Sequence, residues 1–176
     1  MKTLPLIPIA LLAFLAPSAA LQVYAATDAK PARAEVIFSN PENFTDVKDR
    51  DFASEKGRDE ILGRIKEFIV YQADAVLPAG QKLIITFTDI DLAGDFEPWR
   101  GPSMGDVRIV KAIYPPRFKF NYKITDDSGR TLKEGDENLT DLAFDQRLTM
   151  DRQDTLRYEK SLLGDWLRSS ATAVRK

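Results

Sequence analysis

The sequence contains neither cysteine nor histidine among its 176 residues, and both absences narrow the possible functions. Without cysteine, the chain forms no disulfide and offers no cysteine for N-terminal lipidation. Without histidine, it has no Ser-His-Asp or Cys-His catalytic system. The usual zinc sites and the haem or copper sites that rely on imidazole are excluded for the same reason. Acidic side chains therefore become the best lead to a functional site.

Charge of either sign is not concentrated in any part of the chain. Lysine and arginine number 25 and aspartate and glutamate number 27, which gives a formal net charge of −2. Because the charges are interspersed, the sequence has no basic stripe that would follow a phosphate backbone and no acidic tail. Nucleic acid is not an expected partner.

The N-terminal segment has the composition of a secretory signal peptide. Lys2 precedes a long apolar stretch without acidic residues, and Val23 and Ala25 are small residues that suit cleavage before Ala26. We therefore expect residues 1–25 to be removed and the protein to be periplasmic or secreted, with membrane contact only before cleavage. The alternative is an uncleaved anchor, but three prolines weaken a spanning helix of about 20 residues. Residues 26–33 are polar and small, which predicts a flexible lead.

The rest of the chain predicts one α+β domain, residues 34–176. Apolar residues recur at helical spacing over 58–77 and again over 156–174, which indicates two amphipathic helices. Strand patterns occupy 34–39, 81–92, 106–114, 117–125 and 130–139. Sequential strands with short connections pair antiparallel, so we expect a mainly antiparallel sheet of four to five strands packed against the two helices, in the order β-α-β-β-β-β-α.

The stretch TFTDIDLAGDFEPW, residues 86–99, concentrates four carboxylates around one glycine. Strict alternation along the strand would place Asp89 and Asp91 on the same face as Leu83, Ile85 and Phe87, about 6.6 Å apart. With Asp95 and Glu97 they form a candidate oxygen-ligand set for calcium or magnesium. The spacing does not match an EF-hand loop. A structural alternative is that Asp89 and Asp91 bind loop amides or the side chains of Arg108, Arg117 or Lys119.

The same stretch supplies the candidate binding residues Asp89, Asp91, Gly94, Asp95 and Trp99. Trp99 and Phe96 lie in a loop with several glycine and proline residues. They form either an exposed lip for a ligand or partner or the closed end of the core. A pair of carboxylates can also hydrolyse glycosides, although such enzymes need a larger cleft than a chain of this length usually builds.

Five segments together resemble one bacterial family, known as domain of unknown function 3016. They are PENFTDV, TDIDLAG, DVRIV, YPPRFKFNY and RYEKSLLGDWL, and the resemblance runs from about Val36 to Leu167. It implies an exported bacterial protein with no established activity, so no catalytic residue is carried over from it.

These observations leave three hypotheses. The first is a non-catalytic periplasmic module that binds a ligand or an envelope protein. The second is a domain that binds calcium or magnesium through the acidic stretch. The third, a minor one, is a carboxylate-dependent hydrolase.

Overall fold

The computed structural model describes residues 32–50, 54–101, 105–148 and 151–174. The predicted signal peptide and most of the predicted lead lie outside this part of the chain. The contacts of the domain begin at Arg33, one residue before the predicted boundary. Its guanidinium donates hydrogen bonds to the backbone oxygens of Leu77, at 2.6 Å, and Pro78. Neither helix in the described ranges has the length and hydrophobicity that crossing a membrane requires.

The described chain forms one α+β domain, as the sequence predicts. The elements are β1 (Ala34–Phe38), α1 (Glu55–Val76), β2 (Lys82–Asp91), β3 (Asp95–Phe96), β4 (Arg108–Ile109), β5 (Arg117–Thr125), β6 (Thr131–Thr140) and α2 (Arg157–Val174). Four strands form the main sheet in the order β1-β2-β5-β6, and β3 and β4 form a separate two-stranded sheet.

The main sheet is mixed rather than wholly antiparallel. β1 pairs in parallel with β2, whereas β2 with β5 and β5 with β6 are antiparallel pairs. The parallel pair follows from the connection, because α1 lies between β1 and β2 and returns the chain to the end of the sheet at which β1 began. The turn at 126–129 joins β5 and β6 as an antiparallel hairpin, which agrees with its composition.

α1 begins three residues before the predicted start. The side chain of Ser54 accepts a hydrogen bond from the backbone of Gly57 at 3.0 Å and so caps the first turn. Hydrophobic spacing alone points to a start near Arg58, because the first turn before it is polar. The helix ends at Val76, just before Pro78, as expected.

Both helices pack on the same face of the main sheet and share one hydrophobic core with it. α1 contributes Ile65 and Ile69, and α2 contributes Leu163 and Leu167, all almost fully buried. The sheet contributes alternate residues of its central strands; in β5 these are Phe118, Phe120, Tyr122 and Ile124. The other face of β5 is exposed, with Lys119, Asn121 and Lys123.

The strand predicted over 106–114 does not join the main sheet. Only Arg108 and Ile109 are extended, and they pair with Asp95 and Phe96. β2 already has β1 and β5 as neighbours, and β5 has β2 and β6, so no central position is left for this segment. The backbone N–H of Gly94 donates to the oxygen of Tyr114 at 3.0 Å, and this bond closes residues 95–113 into an excursion between β2 and β5. We call residues 95–113 the excursion.

Candidate functional site

A β-bulge in β2 decides where the acidic stretch points. The pairing with β5 shifts register between Phe87 and Asp89, so the alternation changes phase by one residue. Ile90 is fully buried, whereas Asp89 and Asp91 are partly exposed. The predicted shared face with Leu83, Ile85 and Phe87 is therefore wrong. The bulge keeps two carboxylates out of an apolar core, where charge would be costly.

Asp89 is held by neighbouring residues. Its carboxylate accepts hydrogen bonds from the backbone N–H of Thr45 at 2.9 Å and from the Thr45 hydroxyl at 3.1 Å. Lys119 donates to it at 3.1 Å from the adjacent strand. Burial alone would raise the pKa of Asp89, but the Thr45 and Lys119 hydrogen bonds outweigh it and lower that pKa. These are the contacts that the structural alternative predicts for this residue.

Asp46 brings a second segment against the end of β2. Its backbone N–H donates a hydrogen bond to the backbone oxygen of Ile90 at 3.0 Å, and the backbone N–H of Leu92 donates to the backbone oxygen of Asp46 at 3.1 Å. Its side chain is buried, and its carboxylate accepts hydrogen bonds from both terminal nitrogens of Arg108, at 2.8 and 3.1 Å. A forked guanidinium–carboxylate pair of this kind is strong and directional. Arg108 also donates to the backbone oxygen of Gly94 at 2.9 Å, so it fixes both segments at once.

A cleft of about 330 Å³ opens beside this pair. We call it the Asp91 cleft; it is lined by Asp46, Lys48, Asp91, Asp95, Tyr114, Arg117 and four further residues of the same segments, together with the exposed Ile113. Asp91 is half-buried here. Burial raises its pKa, the nearby Asp46 carboxylate raises it further, and Arg117 partly opposes the rise. No described residue donates a hydrogen bond to this carboxylate.

Glu97 lies outside the Asp91 cleft and holds the excursion together. Its side chain is 2% exposed and accepts hydrogen bonds from Lys111 and Arg100, both at 2.5 Å, and from the Tyr114 hydroxyl at 3.1 Å. The Lys111 hydrogen bond is the main reason why the pKa of Glu97 is lowered. Glu97 therefore has its hydrogen bonds supplied from within the protein.

The four predicted metal ligands do not converge. Asp91 and Asp95 line the Asp91 cleft, whereas Asp89 and Glu97 do not. In the described part of the chain, no group of three or more Asp and Glu residues is arranged to hold a metal ion. Calcium or magnesium binding stays a prediction. The carboxylates of Asp91 and Asp95, which line the same cleft, are the ligands that could take part in it.

Phe96 and Trp99 have different environments. Phe96 is buried, and the guanidinium of Arg108 lies 4.6 Å from its ring centre. Trp99 is 73% exposed, and Ile113 at the edge of the Asp91 cleft is 71% exposed. One aromatic thus packs inside, while the excursion presents the other, with Ile113, to solvent.

Three charged residues of this region were not singled out from the sequence as functional: Asp46, Arg108 and Glu159. Glu159 lies in the first turn of α2, is 1% exposed, and accepts a hydrogen bond from the backbone of Ala93 at 2.7 Å. A signal for it was present, because Glu159 is spaced three and four residues before Leu162 and Leu163 on the buried face of the helix. Asp46 and Arg108 had no comparable signal, since only the tertiary fold brings them together.

The five segments that carry the family resemblance meet in this region. PENFTDV supplies Asp46, TDIDLAG supplies Asp91, DVRIV supplies Arg108, and YPPRFKFNY supplies Tyr114 and Arg117. RYEKSLLGDWL supplies Glu159, which holds the backbone immediately after β2. Segments that are far apart in the sequence thus meet in one region of the fold.

Comparison with known proteins identifies the family. Residues 32–169 match the family described as "Protein of unknown function (DUF3016)". The chain matches no curated protein and no solved structure. Because the match covers most of the chain, the protein belongs to this family.

Proposed function

We propose that this member of the family is an exported, non-catalytic binding module whose Asp91 cleft accepts a cationic side chain of an envelope protein. The observation that carries the proposal is the half-buried carboxylate of Asp91, which lines a cleft and receives no hydrogen bond from the described residues. A lysine or arginine side chain from a partner would supply both the missing donors and the opposite charge.

The two carboxylates and two basic groups left in the lining balance in number, so the support for a cationic partner group comes from the position of Asp91. Asp46 is already paired with Arg108, which leaves Asp91 and Asp95 to face Lys48 and Arg117. Proximity to Asp46 and burial both make ionised Asp91 unfavourable in the free protein. A bound cation would relieve that cost, because an opposite charge nearby favours the ionised form.

The exposed side chains of the excursion support a protein partner rather than a small ion alone. Trp99 and Ile113 are largely exposed, and Val107 is 43% exposed. Tryptophan is a common anchor at protein interfaces, and Ile113 lies at the edge of the Asp91 cleft itself. The absence of histidine and cysteine from the whole sequence supports a binding role over acyl-transfer chemistry.

A photo-crosslinking amino acid at Ile113 tests the proposal in envelope fractions of a bacterium that expresses the full chain. We expect a discrete crosslinked product that N-acetyl-lysine amide competes away and that Asp91→Asn removes. Asp106→Asn is the matched control, because it makes the same charge change in the excursion at an exposed residue outside the cleft. Products that are equally strong in the Asp91 variant would reject the cleft as the binding site.

A divalent cation is the second candidate for the same cleft, because Asp91 and Asp95 both line it. A thermal melt after chelation, repeated with millimolar calcium or magnesium, separates the two candidates. A cation at about 100 times its dissociation constant adds about 2.7 kcal/mol of stability. A shift in melting temperature that Asp91→Asn removes and Asp89→Asn retains would favour the cation over a basic side chain.

A further inference from the structure

A second cleft of about 320 Å³ lies between α1, the start of α2 and the residues that follow β2. We call it the Glu159 cleft; its walls include Gly57, Ile61, Leu92, Leu156 and Glu159, and Glu60 lies at its exposed edge. It shares Lys48 and Leu92 with the Asp91 cleft but contains neither Asp91 nor Asp95. Its volume is at the lower end of the range for small-molecule sites.

Glu159 is the unusual group in this cleft. One carboxyl oxygen, Oε1, accepts the hydrogen bond from Ala93, whereas the other, Oε2, is buried without a hydrogen-bond partner among the described residues. Buried polar atoms are nearly always satisfied, and leaving one without a partner destabilises the protein. A ligand that donates a hydrogen bond from within the cleft would satisfy Oε2, and a positively charged ligand would also favour the ionised carboxylate that this hydrogen bond requires.

The charges that remain after internal pairing favour a positively charged donor. Arg108 is paired with Asp46, and Arg64 is paired with Asp154 at 2.5 Å. Three acidic groups of the lining remain, namely Asp49, Glu60 and Glu159. One basic group remains, Lys48, whose ammonium has no partner among the described residues. Asp49 has a contact of 3.4 Å with the exposed Arg50, which water screens. The lining has three acidic and three basic residues, but both arginines are held by carboxylates outside it, so the groups left to meet a ligand are mainly acidic.

The walls suit a compact apolar body. Ile61, Leu92 and Leu156 are buried hydrophobic residues that line the cleft. The Asp49 carboxylate occupies the space that a Cβ at Gly57 would take, so it packs directly against the backbone of α1 in this wall. A short hydrocarbon chain or a single ring fits such a lining, and its charged end can reach Glu159.

We infer that the Glu159 cleft binds a small organic ammonium ion, whose apolar body packs against Ile61, Leu92 and Leu156 and whose N–H donates to Oε2 of Glu159. This site is separate from the Asp91 cleft and does not depend on the function proposed for it. The ligand class is a primary amine on a compact apolar group. It excludes carboxylates and phosphates, which Glu159, Glu60 and Asp49 would repel.

Three probes of similar shape test the inference on the full chain: benzylammonium, benzyl alcohol and benzoate. The reporter is the backbone amide resonance of Ala93, because its N–H is bonded to the same carboxyl group. We expect a saturable shift of this resonance with benzylammonium and none with benzoate or benzyl alcohol at equal concentration. No shift with benzylammonium, or equal shifts with all three probes, would overturn the inference.

Variants locate the binding. Glu159→Gln should weaken benzylammonium binding by about tenfold or more, because it removes a hydrogen bond to a charged group. Glu60→Gln, at an exposed residue where folding is not at risk, should weaken binding by about two- to fivefold. Unchanged affinity in both variants would contradict the assignment.

Asp91→Asn is the control that separates this site from the Asp91 cleft. Here we expect unchanged benzylammonium affinity. Loss of binding in Asp91→Asn alone would place the amine in the Asp91 cleft, which would overturn this inference and support the proposed function. Loss of crosslinking at Ile113 together with retained amine binding at Ala93 in this variant would support both proposals, each at its own cleft.

Discussion

At the scale of single residues, two buried glutamates show how surroundings decide the behaviour of the same side chain. Glu97 accepts hydrogen bonds from Lys111, Arg100 and Tyr114, and its pKa is lowered. Glu159 is buried to a similar extent, but burial outweighs the hydrogen bond from Ala93 and raises its pKa. Donors within reach stabilise a buried carboxylate, whereas burial without them favours the protonated acid.

The two glutamates should respond to pH in opposite directions. Because the pKa of Glu159 is raised in the folded state, its contribution to stability is fully present below the unfolded value, about 4.3, and is lost as pH rises through the folded value. We expect Glu159→Gln to become progressively more stable relative to wild type over that interval. Each unit by which the folded pKa exceeds the unfolded one corresponds to about 1.4 kcal/mol. Urea unfolding from pH 4 to pH 8 measures the difference.

Glu97→Gln is the matched control for this experiment. Its lowered pKa means that its stabilisation is present above the unfolded value and is lost as pH falls through the folded value. The variant should therefore be less stable than wild type at neutral pH, and the deficit should shrink in acid. Parallel pH profiles for the two variants would contradict the opposite environments described for these residues.

At the scale of elements, the end of β2 is shaped by Gly94. This residue has φ +81°, a conformation that side chains with a Cβ rarely adopt, and a Cβ there would lie 2.8 Å from the backbone oxygen of Ile109 in β4. The close approach lets the excursion pack against the strand that it leaves. It also places Arg108 beside Asp46.

Gly94 meets two requirements, a positive φ and a close approach to the backbone of Ile109. Comparing Gly94→Ala with Gly129→Ala separates their effects on stability. Gly129 also has φ +81°, but a Cβ there would meet nothing within 4 Å. Gly129→Ala should therefore lose only the conformational term, about 1–2 kcal/mol of unfolding free energy. Gly94→Ala should lose clearly more, because the chain must also move away from Ile109. Equal losses in chemical denaturation would show that the close approach does not matter.

The elements also show what sequence reasoning can reach. Hydrophobic spacing was enough to predict both helices and the strand over 117–125, since burial of one face imposes a period. It did not predict the bulge, because Thr88, Asp89 and Ile90 suit a strand in either phase. It also overestimated the strand at 106–114, because whether a strand-like segment joins the sheet depends on which edges are free.

The candidate site was predictable only in part, for the same reason. Asp91 and Asp95 were recognised from local composition, and both line the Asp91 cleft. Arg108 appeared in the sequence only as a possible partner for Asp89 or Asp91, whereas the structure pairs it with Asp46 from a distant segment. Such pairs follow from tertiary contacts, so a single sequence contains no local pattern for them.

At the scale of the whole molecule, the helices cover one face of the main sheet. On the opposite face, β5 exposes polar side chains to solvent. The proposed function requires this domain to work outside the cytoplasm, which rests on the predicted signal peptide.

Export makes a definite prediction about the N-terminus. Protein recovered from the periplasm should begin at Ala26, because Val23 and Ala25 suit cleavage there. Ala25→Trp places a bulky residue at the cleavage point and should leave the chain uncut. Mass spectrometry of the intact protein measures both. Recovery of uncleaved wild-type chain only from the cytoplasm would contradict export and, with it, an envelope partner.

The hydrogen bond between Gly94 and Tyr114 has a consequence for how such a protein can change. This hydrogen bond places the point where the chain leaves β2 next to the point where it returns before β5. Both ends of the excursion are therefore fixed relative to each other. Closing a loop of different length between fixed ends changes the free energy only slowly with length. The length of the excursion can therefore change at little cost in stability, provided that Arg108 keeps its contacts with Asp46 and Gly94.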